Sequence, residues 1–425
     1  MKRSWLVYGA IALVVIAVVG YFAIQFILGS TTRQLTDGKL IAADYWSPEP
    51  QILSAGYGFD NIIGLPDLTE DEVLAVDGAW YSGLTCTNGE EPDPTLRTSA
   101  SIARTINQAF KGYGDVDDGL PIVFSWPVAT ETVDPTDFKF TLNTGETVFP
   151  HAAGMYPNWE NNERNTVVVF GDFGNRGKAA EPDAVFPVKL EVVDDGTPLL
   201  MVGPGGREVS VVGMTWTTDK SPYDEGPKLV GAKLNRVGTE ALGEGGVTLM
   251  AAGPPLPNDE FALYGGGDFR LRVLTTGGFS PDGITGLRPP MFADFFRIQA
   301  KGPNGETVLI DKTGEDFAVA GGTLRVVGLS DLGQVENPEK GIYYDDCYVE
   351  DADNYIDIIL TGDEAAARNI TFVEIPSLEG GYRAFYNPGG PGPTPTEGVR
   401  STAPGPPDLE PVVMALDDPM RVDRR

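Results

Sequence analysis

The sequence predicts a mainly β protein, with two β-sandwich-like domains after an N-terminal transmembrane helix. Three observations predict this class. Short apolar runs separated by turn dipeptides fill most of the chain after Gly119, and the 425 residues include 53 Gly and 34 Pro. No alternation of strand and helix patterns follows the single clear helical pattern. Many short strands joined by turns are typical of sandwiches and barrels, not of doubly wound sheets.

The first residues predict a membrane anchor. Lys2 and Arg3 precede a run without charged residues from Trp5 to Leu28. At about 1.5 Å per residue, such a helix crosses a hydrocarbon core of about 30 Å. It exceeds the roughly 7 to 15 apolar residues of a signal peptide, and no Ala-x-Ala site follows. A cleaved signal peptide and a buried core helix are the alternatives to this anchor.

The anchor, residues 1–30, fixes the expected location of the rest of the chain. Because basic residues flank it at the N-terminal side, we expect a single-pass cell-membrane protein with a cytoplasmic N-terminus and an extracytoplasmic body. Composition then predicts a stalk or linker at 31–61, a first β-rich domain at 62–215 and a second β-sandwich domain at 216–386. Pro and Gly dominate the tail, 387–425, which we expect to be disordered.

One amphipathic helix is predicted near residues 98–111. Apolar side chains recur there every four residues, and the pattern ends at a glycine, as in Ile102, Ile106, Phe110 and Gly112. Thr98 or Ser99 is the predicted N-cap. We expect the apolar stripe to pack on the adjacent sheet.

Two turn dipeptides predict hairpins. Asp195-Gly196 separates two apolar runs within residues 187–203, and Asn304-Gly305 does the same within residues 295–311. Asp-Gly and Asn-Gly adopt the positive φ angles that tight hairpin turns require. We therefore expect each pair of runs to form two adjacent antiparallel strands.

The charge balance restricts the partners. The chain carries 61 acidic and 31 basic residues, with a formal net charge of -30. A field of this sign repels phosphate backbones, so nucleic acid is not expected as a partner. The acidity is spread along the chain, which suits either salty surroundings or divalent cations.

The stretch "RNTVVVFGDFGNRG", residues 164–177, resembles the first metal-binding motif of metallophosphoesterases. Such sites need several imidazoles, and His151 is the only histidine in the chain. We therefore interpret the stretch as a buried β-branched strand that ends in a Gly/Asp/Asn turn. A Ser-His-Asp triad using His151 stays open, because triad partners meet in space rather than in sequence.

Two acidic clusters are candidate calcium sites. Hard cations prefer oxygen ligands from flexible loops. Neither cluster has the full EF-hand spacing, and solvated loop carboxylates are the alternative. The candidate ligands are Asp115, Asp117 and Asp118 in the first cluster, and Asp345, Asp346, Glu350, Asp351 and Asp353 in the second. No other cofactor is expected.

Cys86 and Cys347 are the only two cysteines. Outside the cytoplasm, an even number of cysteines favours disulfide pairing, which here would tie the N-terminal region to the last domain. Two free thiols are the alternative, since spacing alone does not decide between them.

Residues 120–150, "LPIVFSWPVATETVDPTDFKFTLNTGETVFP", resemble the opening of bacterial Ig-like domains of the surface-layer type. The matching features are a strand that ends in Phe-Ser-x-Pro-Val at 124–128, a Val-Asp-Pro-Thr step at 133–136, and a Phe-x-Leu strand with a glycine turn at 140–145. The resemblance implies a sandwich module with a spacer or adhesive role and no catalysis. The long insertion after Pro150 departs from the pattern.

These observations favour a membrane-anchored extracytoplasmic structural or interaction protein without catalysis, with a protein or glycan as partner. Two alternatives remain. The acidic clusters would support a calcium-dependent carbohydrate or protein binder. A hydrolase that works with carboxylates alone is the other, since an acidic chain offers many carboxylate pairs.

Overall fold

A computed structural model describes residues 18–21, 35–56, 58–87, 89, 91–110, 117–158, 160–175, 177–224, 226–237, 266–330, 345–347, 354–378, 383–386, 389–396 and 405–424. There the protein is mainly β, which confirms the predicted class at this level. Within these ranges, no helix has the length and apolar character needed to cross a membrane. Of the predicted anchor, only residues 18–21 belong to the described part of the chain.

We call residues 35–224 the first unit. Its strands are β1 (Leu40–Asp44), β2 (Ile52–Ser54), β3 (Phe59–Leu65), β4 (Ser101–Ile102), β5 (Asp117–Phe124), β6 (Phe138–Leu142), β7 (Thr147–Val148), β8 (Ala152–Gly154), β9 (Thr166–Gly171), β10 (Pro187–Val192), β11 (Leu200–Gly203), β12 (Arg207–Ser210) and β13 (Thr215–Thr217). Its helices are α1 (Glu70–Ala75) and α2 (Ala103–Ala109).

We call residues 226–386 the second unit. Its strands are β14 (Leu229–Arg236), β15 (Phe269–Thr275), β16 (Arg297–Lys301), β17 (Thr307–Ile310), β18 (Phe317–Val319), β19 (Gly322–Ser330), β20 (Tyr355–Gly362) and β21 (Ile370–Ile375). Its helices are α3 (Phe292–Phe295) and α4 (Glu364–Ala367). The tail adds β22 (Asp408–Pro411), β23 (Val413–Met414) and β24 (Arg421–Arg424).

Two sheets form the core of the first unit. One has the order β4-β3-β5-β9-β8 with β2 added on β5, and the other has the order β13-β10-β6-β7. Side chains of both sheets, among them Phe124, Val167, Phe140 and Leu190, share one hydrophobic cluster. The other face of the first sheet packs against α2. Burial on both faces explains the continuous apolar runs within these strands, residues 120–124 of β5 and 167–170 of β9.

Two further sheets form the core of the second unit. One has the order β18-β19-β20-β15-β14-β23 and the other the order β17-β16-β21-β22. Leu271 and Ile358 of the first sheet lie in one hydrophobic cluster with Ile298 and Val373 of the second. Strands from the tail therefore complete both sheets of this unit.

The predicted helix begins later than its sequence pattern suggests. Ser101 and Ile102 pair in parallel with β3, and α2 runs only from Ala103 to Ala109. Its N-cap is Ile102 without a side-chain hydrogen bond, so the predicted Thr98 or Ser99 cap is wrong. The stripe does pack on the sheet, because Ile106 and Phe110 are buried in a cluster with Phe170.

The predicted stalk and the predicted disordered tail both contribute to sheets. Within 31–61, Leu40 and Asp44 are fully buried and β1 pairs with β24. The tail differs from the prediction from residue 405 onward, where β22, β23 and β24 pair with β21, β14 and β1. The Pro/Gly-rich composition ends near residue 407, and the apolar residues after it fill edges of existing sheets.

Only one of the two predicted hairpins forms. Gln299 pairs with Leu309 across the Asn304-Gly305 turn, which confirms the hairpin of β16 and β17. The hairpin at Asp195-Gly196 is wrong. Both edges of β10 are occupied by β6 and β13, and β11 pairs with β12 instead.

Candidate functional site

The two units meet on the charged face of a second-unit sheet. Along β15, Phe269, Leu271 and Val273 point into the core of the second unit. The alternate residues, Arg270 and Arg272, belong to the opposite face, and they too are buried, with 1% and 0% exposure. This face packs against the first unit, so the site at the junction consists of paired charges removed from water.

Asp44 of the first unit is the centre of this junction. Its carboxylate accepts hydrogen bonds from Lys233 Nζ at 2.5 Å and from Arg272 Nη1 at 3.2 Å. Arg421 of the tail donates to the same carboxylate through Nε at 3.3 Å. Arg270 Nη2 lies 3.5 Å from Asp44 Oδ2, so this first-unit carboxylate contacts three basic side chains of the second unit and one of the tail.

Arg272 connects further acidic groups. Its Nε and Nη2 donate to the two oxygens of Asp357 at 2.8 and 2.7 Å, in the bidentate geometry that favours arginine. Its Nη2 also lies 3.0 Å from Oε1 of Glu163 in the first unit. Tyr355 adds a neutral link, because its hydroxyl lies 3.1 Å from both the backbone nitrogen and Oδ1 of Asn165.

The cations of the junction determine the ionisation of Asp44. Burial alone would raise the pKa of this carboxyl, but the combined attraction of Lys233, Arg270, Arg421 and Arg272 holds it well below its usual range. Asp44 is therefore an anion at neutral pH, and Lys233 is its nearest partner; burial lowers the pKa of Lys233 to about 7, against the attraction of Asp44. The ring of Trp46 lies 5.3 Å from Lys233 Nζ and covers that pair.

A cleft of about 320 Å³ lies beside the ionic junction, between the two units. Its lining is mostly apolar. The first unit contributes side chains of β3, β9, the α2 region and the 156–158 loop, and the second unit contributes the loop at 278–286. Representative lining residues are Ile63, Ile102, Tyr156 and Phe170 on one side and Phe279 and Ile284 on the other.

Polar side chains at the cleft hold the units together. Thr166 Oγ1 donates to Asn354 Oδ1 at 2.8 Å, and Asn354 Nδ2 donates to the carbonyl of Thr275 at 2.9 Å. Arg164 belongs to the buried segment 160–165. Its Nη1 donates to the carbonyl of Asn158 at 2.8 Å, which connects this segment to the loop that lines the cleft. Asn158 is 1% exposed, and its amide nitrogen has no hydrogen-bond partner in the described part of the chain.

A disulfide joins Cys86 to Cys347, with 5.4 Å between the Cα atoms. The neighbouring acids hold the same connection. Asp345 Oδ2 accepts from the backbone nitrogen and hydroxyl of Thr87 at 2.5 and 2.6 Å, and its Oδ1 accepts from the nitrogen of Cys347 at 2.9 Å. Partial burial alone would raise the pKa of Asp345. The hydrogen bonds from Thr87 and Cys347 outweigh this effect, so the pKa of the carboxyl is lowered.

Asp346 also belongs to this connection. Its Oδ2 accepts from the nitrogen of Thr85 at 3.2 Å, and its Oδ1 lies 2.8 Å from Nη2 of Arg288. Both described acids of the second predicted calcium cluster are thus engaged by protein donors. Glu350, Asp351 and Asp353, the other predicted ligands, lie outside the described residues.

The first predicted calcium cluster is divided between two roles. Asp118 is buried, and its oxygens accept from the backbone nitrogens of Asn61 and Phe173 at 2.9 and 2.7 Å. Asp117 Oδ2 lies 2.7 Å from Nδ1 of His151. Asp115 lies outside the described residues.

The acidic clusters and His151 are the candidates for metal and triad chemistry. Within the described ranges, no group of three or more His, Cys, Asp or Glu side chains is arranged to hold a metal ion. The ring of His151 hydrogen-bonds to Asp117 and, within the same ranges, to no serine or threonine. Calcium binding through the residues beyond those ranges stays a prediction.

The stretch at 164–177 adopts the structure that the sequence analysis favoured. Thr166–Gly171 is a fully buried strand, β9, and the Gly/Asp/Asn segment follows it as a loop. Gly174 has a φ angle of 124°, and a Cβ there would lie 2.1 Å from the carbonyl oxygen of Val185, so the loop needs glycine at this position.

No known protein family, curated protein or solved structure matches the chain.

Sequence reasoning missed the ionic junction and the cleft. The signal for the junction is present in "FRLRVLT", residues 269–275, where two arginines alternate with apolar residues. Such alternation normally indicates one buried and one solvated face, and nothing in a single sequence shows that another unit covers the charged face. The cleft arises from segments more than a hundred residues apart.

Proposed function

We propose that this chain is a membrane-anchored extracytoplasmic protein with a structural or interaction role and no catalysis. In this proposal, residues 5–28 form a single-pass anchor with a cytoplasmic N-terminus, and the two units form the extracytoplasmic body. The uncharged run of 24 residues and its basic N-terminal flank support the anchor.

The disulfide between Cys86 and Cys347 is the observation that carries the proposal. Structural disulfides persist in oxidising compartments and are rare in the cytosol. This one connects the first unit to the second across 261 positions of sequence. A covalent tie of this kind supports a body that lies outside the cytoplasm and keeps a fixed shape.

The arrangement of charges supports a non-catalytic role. A catalytic acid or base must reach its substrate, whereas Asp44, Lys233 and Arg272 have no exposed surface and contact one another. Their geometry fixes the two units instead. The described acids near the disulfide likewise hold backbone groups in place.

We propose further that each unit is a β-sandwich. Support comes from the two hydrophobic clusters, each of which unites side chains of two sheets. The resemblance of residues 120–150 to bacterial Ig-like domains of the surface-layer type points the same way, and it makes a protein or glycan the expected partner.

A topology experiment tests the anchor. The full chain with a C-terminal epitope tag is expressed, membranes are washed with alkaline carbonate, and protease is added to intact spheroplasts. We expect the chain to stay in the membrane fraction and the tag to be digested from outside. The matched control lacks residues 2–30 and should be soluble and protected inside the cell.

Two outcomes would contradict the proposed function. Protection of the tag in intact spheroplasts would place the body in the cytoplasm. The full chain could also hydrolyse a substrate, with a single substitution of a carboxylate or of His151 abolishing that activity. This result would show that the role is catalytic.

A further inference from the structure

We propose that the cleft between the two units binds one small, uncharged, mainly apolar molecule that carries an oxygen acceptor. This inference goes beyond the proposed function, because it assigns a ligand site and a ligand class to the body. It rests on the size of the cleft, its lining and one buried amide.

The size of the cleft suits a small organic molecule. Its volume is about 320 Å³, near the lower end of the range of roughly 300 to 1,000 Å³ found for ligand pockets. Rings and aliphatic side chains from both units line it, including Phe170 from the first and Phe279 from the second. A bound molecule would therefore bury apolar surface against both units at once.

The lining excludes a charged ligand. Among the described residues that line the cleft, Asp346 is the one charged side chain, and its Oδ1 already lies 2.8 Å from Nη2 of Arg288. An ion in this cleft would lose its hydration without gaining a countercharge, which is strongly unfavourable. A neutral molecule avoids that cost.

Asn158 specifies the oxygen acceptor. It lines the cleft, is 1% exposed and has an amide nitrogen without a hydrogen-bond partner among the residues that the structure describes. A buried donor left unsatisfied is destabilising, so a ligand acceptor that reaches it strengthens binding. Since the nitrogen is covered in the structure, a rotation of the amide toward the cleft is part of binding.

Equilibrium dialysis with three matched probes tests the inference. The full chain in a mild detergent is dialysed against 2-acetylnaphthalene, 2-ethylnaphthalene and 2-naphthoate. These share one ring system but differ in their substituent: a neutral carbonyl, no acceptor, and a negative charge. We expect saturable binding of the ketone, affinity for the hydrocarbon about fivefold weaker, and at least tenfold weaker affinity for the carboxylate.

Three variants separate cleft binding from partition into detergent. Thr105→Phe places a ring in the cleft from α2 and should abolish saturable binding of the ketone, whereas Asn107→Phe adds the same ring on the exposed side of α2 and should not. Asn158→Leu should weaken the ketone to the affinity of the hydrocarbon and leave the hydrocarbon unchanged.

Several results would overturn the inference. Equal ketone binding by Thr105→Phe and Asn107→Phe would place the probe elsewhere, and tightest binding of 2-naphthoate would refute an uncharged ligand. If Thr105→Phe did not fold, the order of the three probes on the unmodified chain would still decide, because non-saturable binding of the ketone contradicts a site. The dialysis result does not depend on membrane topology. Failure of this inference can therefore be distinguished from failure of the proposed function.

Discussion

Lys233 Nζ and Asp44 Oδ1 lie 2.5 Å apart with both side chains fully buried, and the two residues belong to different units of the protein. The pair joins the middle of β14 to the end of β1. Because Arg272 and Arg421 contact the same carboxylate, the second unit and the tail are both fixed to the first unit at one point.

The first prediction concerns the loss of this anion. Asp44→Asn keeps the shape of the side chain but leaves Lys233 and Arg272 buried without their shared countercharge. Breaking a buried pair in this way costs about 3–5 kcal/mol of unfolding free energy. Urea denaturation followed by tryptophan fluorescence measures the change.

Glu364→Gln is the matched control, since Glu364 pairs with Arg236 and Arg368 at the surface with 39% of its side chain exposed. Removal of a surface pair costs about 0–1 kcal/mol. Equal losses for Asp44→Asn and Glu364→Gln would show that the junction does not contribute as the structure indicates.

The second prediction concerns pH. Burial, with a smaller effect from Asp408, raises the pKa of Glu410 from 4.5 to about 7. Between these two values the unfolded chain releases the proton while the folded chain keeps it. The contribution of Glu410 to stability is therefore present below about pH 4.5 and is lost as pH rises to about 7.

Glu410→Gln should remove this dependence, because the amide stays neutral. The unfolding midpoint of the variant is expected to exceed that of the unmodified chain at pH 8 and to approach it at pH 4.5. A constant difference between the two chains across this range would refute the assignment to Glu410.

The third prediction concerns the disulfide. Replacement of both Cys86 and Cys347 by serine should lower the unfolding free energy by about 2–5 kcal/mol, since the tie closes a long loop in the unfolded chain. Chemical denaturation measures the loss, and mass spectrometry after alkylation without reductant tests the bond itself. Quantitative alkylation of both thiols in the unmodified chain would contradict it.

The fourth prediction concerns the tail. Truncation after residue 404 removes β22, β23 and β24, which pair with strands of both units. Exposed sheet edges promote aggregation, so the truncated chain should be destabilised and poorly soluble. Truncation after Arg424, which leaves all three strands, is the control, and equal solubility of the two chains would support a disordered tail instead.

The sequence was a good guide where local chemistry decides the structure. The β-branched run of β9 and the Asn304-Gly305 turn formed as predicted, because strand propensity and turn geometry act over a few residues. It was a poor guide where distant segments decide. β10 does not pair across Asp195-Gly196, since β6 and β13 occupy its edges.

The candidate site shows the same division. Cys86 and Cys347 are identifiable from their number, and the structure joins them. Asp44, by contrast, lies in a segment whose composition predicts a stalk. Its role follows only from its contacts with Lys233 and Arg272, which lie far away in the sequence. Buried charges resemble solvated ones in a sequence, because burial by another unit leaves no local pattern.

Calorimetry of the full chain in mild detergent tests most directly whether the two units form one body across the Asp44 junction. We predict a single cooperative transition in which both units unfold together, and a lower temperature for that same transition in Asp44→Asn. Two separate transitions in the unmodified chain, with neither shifted by Asp44→Asn, would contradict the account.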